Sequence, residues 1–300
     1  MDRKSTPSAG GYVYVALAAV LFAISGTAAK FLFTGGVSAF QLIQLRTTVA
    51  LVGLAIWLGL RYPARLKISP GDLGYFIGLG VLGIGAAQFF YLLAISKINV
   101  AAAILLHYTG PVFVALYVVR VERRKLGRVS VLAMAGTLAG CFLVVGAYDL
   151  RLLALNRAGI AAGFAAAVAF AAYSLMSARG MARYSPWTVL LYGMLFAALE
   201  WNVLHPPLEA FFHDYSALQW AWIGFIGIGG TILPFGLYFE GIQRIAPTHA
   251  SSTATLEPIS AAIIAALFLG ERLAPLQIAG GGLVLMSILL LQSTSLPERA

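Results

Sequence analysis

Ten long apolar runs, each closed by a short polar break, divide this 300-residue chain from end to end. Only a helix satisfies all of its own backbone hydrogen bonds in hydrocarbon, so runs of this length read as membrane-spanning helices. The expected spans are roughly 12–33, 38–60, 72–95, 100–119 and 129–148, followed by 158–178, 188–204, 218–240, 249–269 and 276–292. At about 20 residues per span they take about 200 positions and leave about 100 for connections and ends. That leaves no room for a soluble catalytic domain. Composition agrees: 10% of the residues are charged, against about 25% in an average soluble domain. The first run is too long for a signal-peptide core and nine more follow it, so it is expected to be retained.

The net charge of +9 does not point to nucleic acid, because the basic residues sit in short connections between apolar runs. With ten spans and a cytoplasmic N-terminus, one side collects Arg3, Lys4, Arg61, Arg65, Lys67, Arg120, Arg123, Arg124, Lys125, Arg128, Arg179, Arg183, Arg244 and Arg299. The other holds Lys97, Arg151, Arg157 and Arg272. This is the positive-inside bias, and it places both termini in the cytoplasm. The basic loop Arg120–Arg128 is read as that same topology signal. The single cysteine, Cys141, lies in an apolar run and permits neither an internal disulfide nor a cysteine metal cluster.

The two halves superpose in sequence at a constant offset of 147 residues through the third and fourth spans of each. Gly80 falls on Gly227, Gly83 on Gly230, Tyr91 on Tyr238, Ile95 on Ile242, Lys97 on Arg244, Ile98 on Ile245, Ala103 on Ala250 and Pro111 on Pro258. An acid-base pair follows each proline, Glu122-Arg123 and Glu271-Arg272, with a two-residue shift. The expected organisation is a first five-helix repeat over 1–148 and a second over 149–300. An odd number of spans per repeat makes the halves enter the membrane in opposite senses, an inverted repeat.

Alanine-rich fourth and ninth spans with a proline in each, the Leu269-Gly-Glu-Arg-Leu273 segment and the glycine-rich tenth span at Ala279–Gly282 resemble the drug/metabolite transporter superfamily. Within it the chain is similar to the EamA-type exporters, although Val119–Lys125 lacks a glycine before Glu122. The resemblance implies an all-helical ten-span carrier of the inner membrane. It further implies a central cavity between the halves and export of small metabolites by alternating access. Broad amino-acid exporters, including exporters of aromatic amino acids, are the members it resembles most.

Several motifs have plainer readings. Gly78-Leu-Gly80-Val-Leu-Gly83 satisfies a dinucleotide-binding string, but it lies inside an apolar span and lacks the required strand before it. Close helix packing accounts for it better, as it does for the GxxxG pairs Gly74/Gly78, Gly136/Gly140 and Gly159/Gly163. His205, Glu209 and His213 are spaced by four, but Pro206 and Pro207 break the helix that would make them a metal site. His107 and His249 coexist with serines, none of which stands in a nucleophile context, so no catalytic residue is assigned. No metal and no cofactor are expected.

Ionisable and amide groups within spans are the informative ones, since a charge at the bilayer centre costs at least about 2.5–3.5 kcal/mol. Lys30, Arg46, Gln88, His107 and Glu257 form that set. Lys30 lies near the outer end of its span and has snorkelling to the interface as its plain reading. Gln41, Gln44 and Thr48 give the second span a polar, inward strip from which Arg46 departs. His107 and Tyr108 precede Pro111, and Glu257 precedes Pro258. Prolines beside ionisable groups at equivalent places mark the expected cavity, bordered by kinks in the fourth and ninth helices.

Tyr91 and Tyr238 join the expected substrate-binding set because they are repeat-equivalent. The other aromatics, Phe89, Phe90, Tyr173, Phe235 and Phe239, read as packing. A zwitterionic amino acid fits best: Arg46 or Lys30 would take its carboxylate and Glu257 its ammonium. A multidrug or nucleotide-sugar carrier is the alternative within transport, and a membrane-embedded enzyme or sensor the one outside it. A monomer suffices as the functional unit, with the small-molecule substrate and the lipid bilayer as its partners. With no Walker motif in the chain, ATP is not expected to drive the cycle directly, and since export of accumulated metabolites needs no second ion, facilitated export is favoured over proton antiport by Glu257 or His107.

Overall fold

The computed structural model describes every residue except 1–8, 122, 124–126, 145, 147, 243, 246–252 and 294–300. Arg3, Lys4, Glu122, Arg124, Lys125, His249, Ala250 and Arg299 therefore lie outside the described residues. The described part is helical, without a strand. Seven helices are long and apolar enough to cross a membrane. They are α1 (Ala9–Thr34), α2 (Ala39–Arg61), α3 (Pro70–Lys97), α4 (Val100–Tyr117), α6 (Leu150–Met181), α7 (Pro186–Leu204) and α8 (Ala217–Gly241). Three shorter apolar helices, α5 (Arg128–Val144), α9 (Leu256–Leu269) and α10 (Pro275–Ser293), occupy the places of the fifth, ninth and tenth expected spans.

Local chemistry fixes the helix starts. Ser38 and Gln41 form a reciprocal capping box before α2, as Ser216 and Gln219 do before α8, and the Ser185 hydroxyl accepts from the Thr188 N–H at the start of α7. Ser38 and Ser185 stand 147 positions apart, and so do the N-caps Ser69 and Ser216. Thus the offset read from α3 and α8 also sets where their neighbours begin.

Three expected spans are interrupted. α3 widens into a π-helix over Leu79–Gly85, and α8 does so over the corresponding Ile228–Ile232. The glycine string that resembles a dinucleotide motif runs into the first of these, with Gly80 against Phe196 and the Gly193 carbonyl, and Gly83 against Tyr173. α4 breaks at Tyr108–Thr109 and restarts at Gly110 with Pro111 in its first turn. At the start of α9, Thr255 occupies the cap and Pro258 the first turn, so both prolines sit at helix starts and not in mid-helix. The sixth helix is also longer than expected, starting at Leu150 before the 158–178 core.

Of the three GxxxG pairs, two pack as expected. A Cβ on Gly140 would meet the Gly280 carbonyl at 2.8 Å and the Val284 nitrogen at 2.9 Å, and Gly163 faces Leu106. The third corrects the sequence reading: Gly74 faces open space, so its spacing from Gly78 reflects no close helix contact. Buried apolar side chains from α3, α4, α5, α6, α9 and α10 form one large cluster. A second joins α1, α2, α3, α7 and α8. Large exposed side chains such as Leu60, Leu132, Val203, Leu267 and Phe268 cover the outside, as expected where lipid replaces water.

Candidate functional site

Pro258 carries no N–H, so it leaves the carbonyl of Ala254, four residues back, without its helical donor. The Tyr108 hydroxyl, from the break in α4, donates to that carbonyl at 2.8 Å and lies 3.0 Å from Glu257 Oε2. A hydroxyl has one proton. When Tyr108 gives it to Ala254, the Glu257 contact is a hydrogen bond only if the carboxyl is protonated and donates. When Glu257 is ionised, it competes with Ala254 for the Tyr108 proton. The two helix breaks are thereby joined through a contact that responds to the charge of Glu257.

Arg46 is buried, 5% exposed, and its direction is now settled. It turns off the polar strip of α2 toward the π-helical turn of α8. Nε donates to Thr231 Oγ1 at 3.0 Å and Nη2 to the Gly230 carbonyl at 3.3 Å, while Thr231 donates to the Ile226 carbonyl at 2.8 Å. The widened turn supplies the acceptors that make a buried guanidinium tolerable. Arg46 and Glu257 form no direct ion pair, yet each lies within electrostatic reach of the other and of Tyr91.

Tyr91, His107, Tyr108, Tyr173 and Glu257 are each deeply surrounded by protein and still retain accessible surface. Tyr91 and His107 meet edge to face at 5.3 Å, His107 and Phe170 at 4.7 Å, and Phe170 leads to Tyr173 at 5.9 Å. The Tyr91 hydroxyl lies over Gly26 of α1, where a Cβ would approach it to 3.0 Å. Tyr238 is within electrostatic reach of both Tyr108 and Tyr173. Among the described residues, His107 Nδ1 has no hydrogen-bond partner.

The fold therefore gathers Arg46, Tyr91, His107, Tyr108, Tyr238 and Glu257 around Pro111 and Pro258. It places Lys30 and Gln88 elsewhere. The Lys30 ammonium donates to the carbonyls of Ile95 and Ile98 at 2.9 and 3.0 Å and lies 3.9 Å from Glu271 Oε1. Glu271 Oε2 in turn accepts from the Val100 N–H at 2.8 Å. This cluster ties α1 and the α9–α10 connection to the α3–α4 turn. Gln88 faces α7, donating to Met194 Sδ at 3.7 Å.

Gln44 and Thr48 also face α7. Gln44 donates to Asn202 Oδ1 and the Pro206 carbonyl and accepts from the Ala210 N–H, while Asn202 donates to Thr48. The inward strip of α2 thus packs on α7 and anchors the 205–216 connection. His205 and Glu209 pair at 2.9 Å within that connection. Tyr173, Thr231 and the two π turns belong to the site but were assigned no part in it. Only the glycine richness at the π turns marks them in the sequence.

The sequence model of the EamA-like transporter family matches twice, at residues 9–146 and 157–293. The chain belongs to this family. It is a membrane transporter of small molecules and not an enzyme. Among EamA relatives, an uncharacterized inner membrane transporter of Salmonella typhimurium, YicL, is 29% identical over 289 residues, covering 95% of this chain and 96% of its own. The threonine/homoserine exporter RhtA of Escherichia coli K12 is 28% identical over 255 residues, with 83% and 82% covered. One solved protein structure superposes with a TM-score of 0.61 at 19% identity, covering 94% of this chain and 96% of that one, a likeness of fold.

Proposed function

We propose that this EamA-family transporter exports amino acids of broad range, aromatic ones included, by alternating access through a central cavity. All ten helices cross the inner membrane as two inverted five-helix repeats, with both termini in the cytoplasm and the monomer as the working unit. The charge asymmetry of the connections supports the orientation, and the 147-residue spacing of caps and π turns supports the duplication. The observation that carries the substrate class is the separated pair of opposite charges, Arg46 on α2 and Glu257 on α9, beside the aromatic cluster of Tyr91, His107, Phe170 and Tyr173. A zwitterion's carboxylate and ammonium match these charges, and the tyrosines offer faces for an apolar or aromatic side chain.

Purified protein in liposomes loaded with labelled threonine or phenylalanine is expected to release it chemically unchanged, with unlabelled amino acids competing. Competition by organic cations or sugar nucleotides but not by amino acids would instead support the multidrug or nucleotide-sugar reading. A chemically altered product would favour an enzyme. Facilitated export needs no second ion, so an imposed pH gradient alone is expected to produce no accumulation above equilibrium. Accumulation that is lost in Glu257→Gln would assign proton antiport to that residue.

In this reading the Lys30–Glu271–Val100 cluster closes the outer end. Burial raises the pKa of the Glu271 carboxyl, while the Val100 N–H and Lys30 oppose the rise. The attraction to Lys30 is present above this raised pKa and is lost as pH falls through it, at a higher pH than for an exposed carboxylate. In a Cys141→Ala background, Ala254→Cys should be labelled from outside several times faster when Glu271→Gln is added, and faster in the parent as outside pH falls. Equal labelling in all cases removes the gate assignment.

A further inference from the structure

Glu200 takes no part in the site described above. It stands on α7 between α3 and the outside of the bundle, in a cleft of about 310 Å³ whose other walls are Val81, Phe196, Leu199, Val203 and Leu204. Among the described residues its buried Oε2 has no hydrogen-bond partner, and no charged group of those residues acts on it. The carboxyl rests on Gly85, the last residue of the π-helical segment in α3, where any Cβ would collide with Oε2. The close approach therefore requires glycine at that position.

A carboxylate in an apolar wall without a countercharge costs several kcal/mol. The surroundings of Arg46 show how the same fold treats a buried charge when it supplies partners: Thr231 and Gly230 accept from it. At Glu200 that partner is missing, and the cleft stands open beside it. We infer that this cleft is a lateral binding site for an organic ammonium ion with an apolar body, entering from the bilayer. The ammonium would sit against Glu200 and the apolar body against Val81, Phe196 and Leu199.

The volume is at the small end of ligand sites, which suits a single short-chain amphiphile. The site is separate from the Arg46–Glu257 cavity and does not depend on amino acids being the substrate.

Equilibrium dialysis of labelled octyltrimethylammonium against the full chain in nanodiscs of uncharged, phosphocholine lipid tests the inference. Saturable binding is expected, at least tenfold weaker in Glu200→Gln and in the cleft-filling Val81→Trp. Octyl sulfonate and octyl glucoside should not compete. Glu200→Asp, which keeps the charge, should retain measurable binding, and size-exclusion profiles report whether each variant folds. Unchanged affinity in a folded Glu200→Gln overturns the site. Loss of binding in Glu257→Gln with none in Glu200→Gln moves the cation to the central cavity and equally overturns it. Failure of amino-acid flux with the Glu200-dependent binding intact would refute the proposed substrate and leave this site standing.

Discussion

Arg46→Ala and Glu257→Gln are each expected to lower amino-acid export from loaded liposomes by about 10- to 100-fold. The magnitude follows from the loss of one charge-assisted hydrogen bond to the substrate, about 1.5–3 kcal/mol, at 1.4 kcal/mol per tenfold. For Arg46 the effect has a second source. Its guanidinium also holds Thr231 and the Gly230 carbonyl at the π turn of α8, so its removal leaves a buried acceptor without a donor. Glu257→Gln isolates the charge, because the amide keeps the size and still donates to or accepts from Tyr108. Tyr108→Phe separates the two roles of that contact: it strands the Ala254 carbonyl without changing any charge, and should lower transport of all substrates alike. Unchanged export in folded Arg46→Ala and Glu257→Gln proteins would refute the assignment of the zwitterion site.

Gly140→Leu is expected to cost about 3 kcal/mol or more, seen as a lower unfolding midpoint in detergent and poor recovery of folded protein. A Cβ there meets backbone atoms, the Gly280 carbonyl at 2.8 Å and the Val284 nitrogen at 2.9 Å. Backbone on a partner helix cannot rotate away as a side chain can, so α5 and α10 must separate, and overpacking of that kind exceeds its usual range of about 1–3 kcal/mol. Gly282→Ala on the same α10 faces open space. It should be neutral or stabilise by up to about 1 kcal/mol through helix propensity alone. Equal behaviour of the two variants would mean that the α5–α10 seam contributes little to the fold.

Membrane residence, the positions of the apolar helices and the family were legible in the sequence, because each rests on local pattern. Hydrocarbon forces helices on long apolar runs, and serine followed three residues later by glutamine is a local helix-start signature that holds at α2 and α8. The constant 147-residue offset likewise needs no coordinates. It also pointed to Tyr91, Tyr238, Pro111 and Pro258, which the fold does gather with Arg46, His107, Tyr108 and Glu257.

Direction and partnership were not legible, since they depend on which helix faces which residue. The sequence could not send Lys30 to the carbonyls of Ile95 and Ile98, nor Gln44 to Asn202 and the 205–216 connection. Both partners lie dozens of positions or more away and share no motif with the residues they bind. Nor could it distinguish Gly74, facing open space, from Gly140, pressed on backbone, because spacing alone does not say what stands opposite. The tertiary structure alone decided that a proline at 258 frees a carbonyl which a tyrosine from the other half of the chain satisfies. Such a contact is set by how two helices cross, and no local pattern in either helix encodes that crossing.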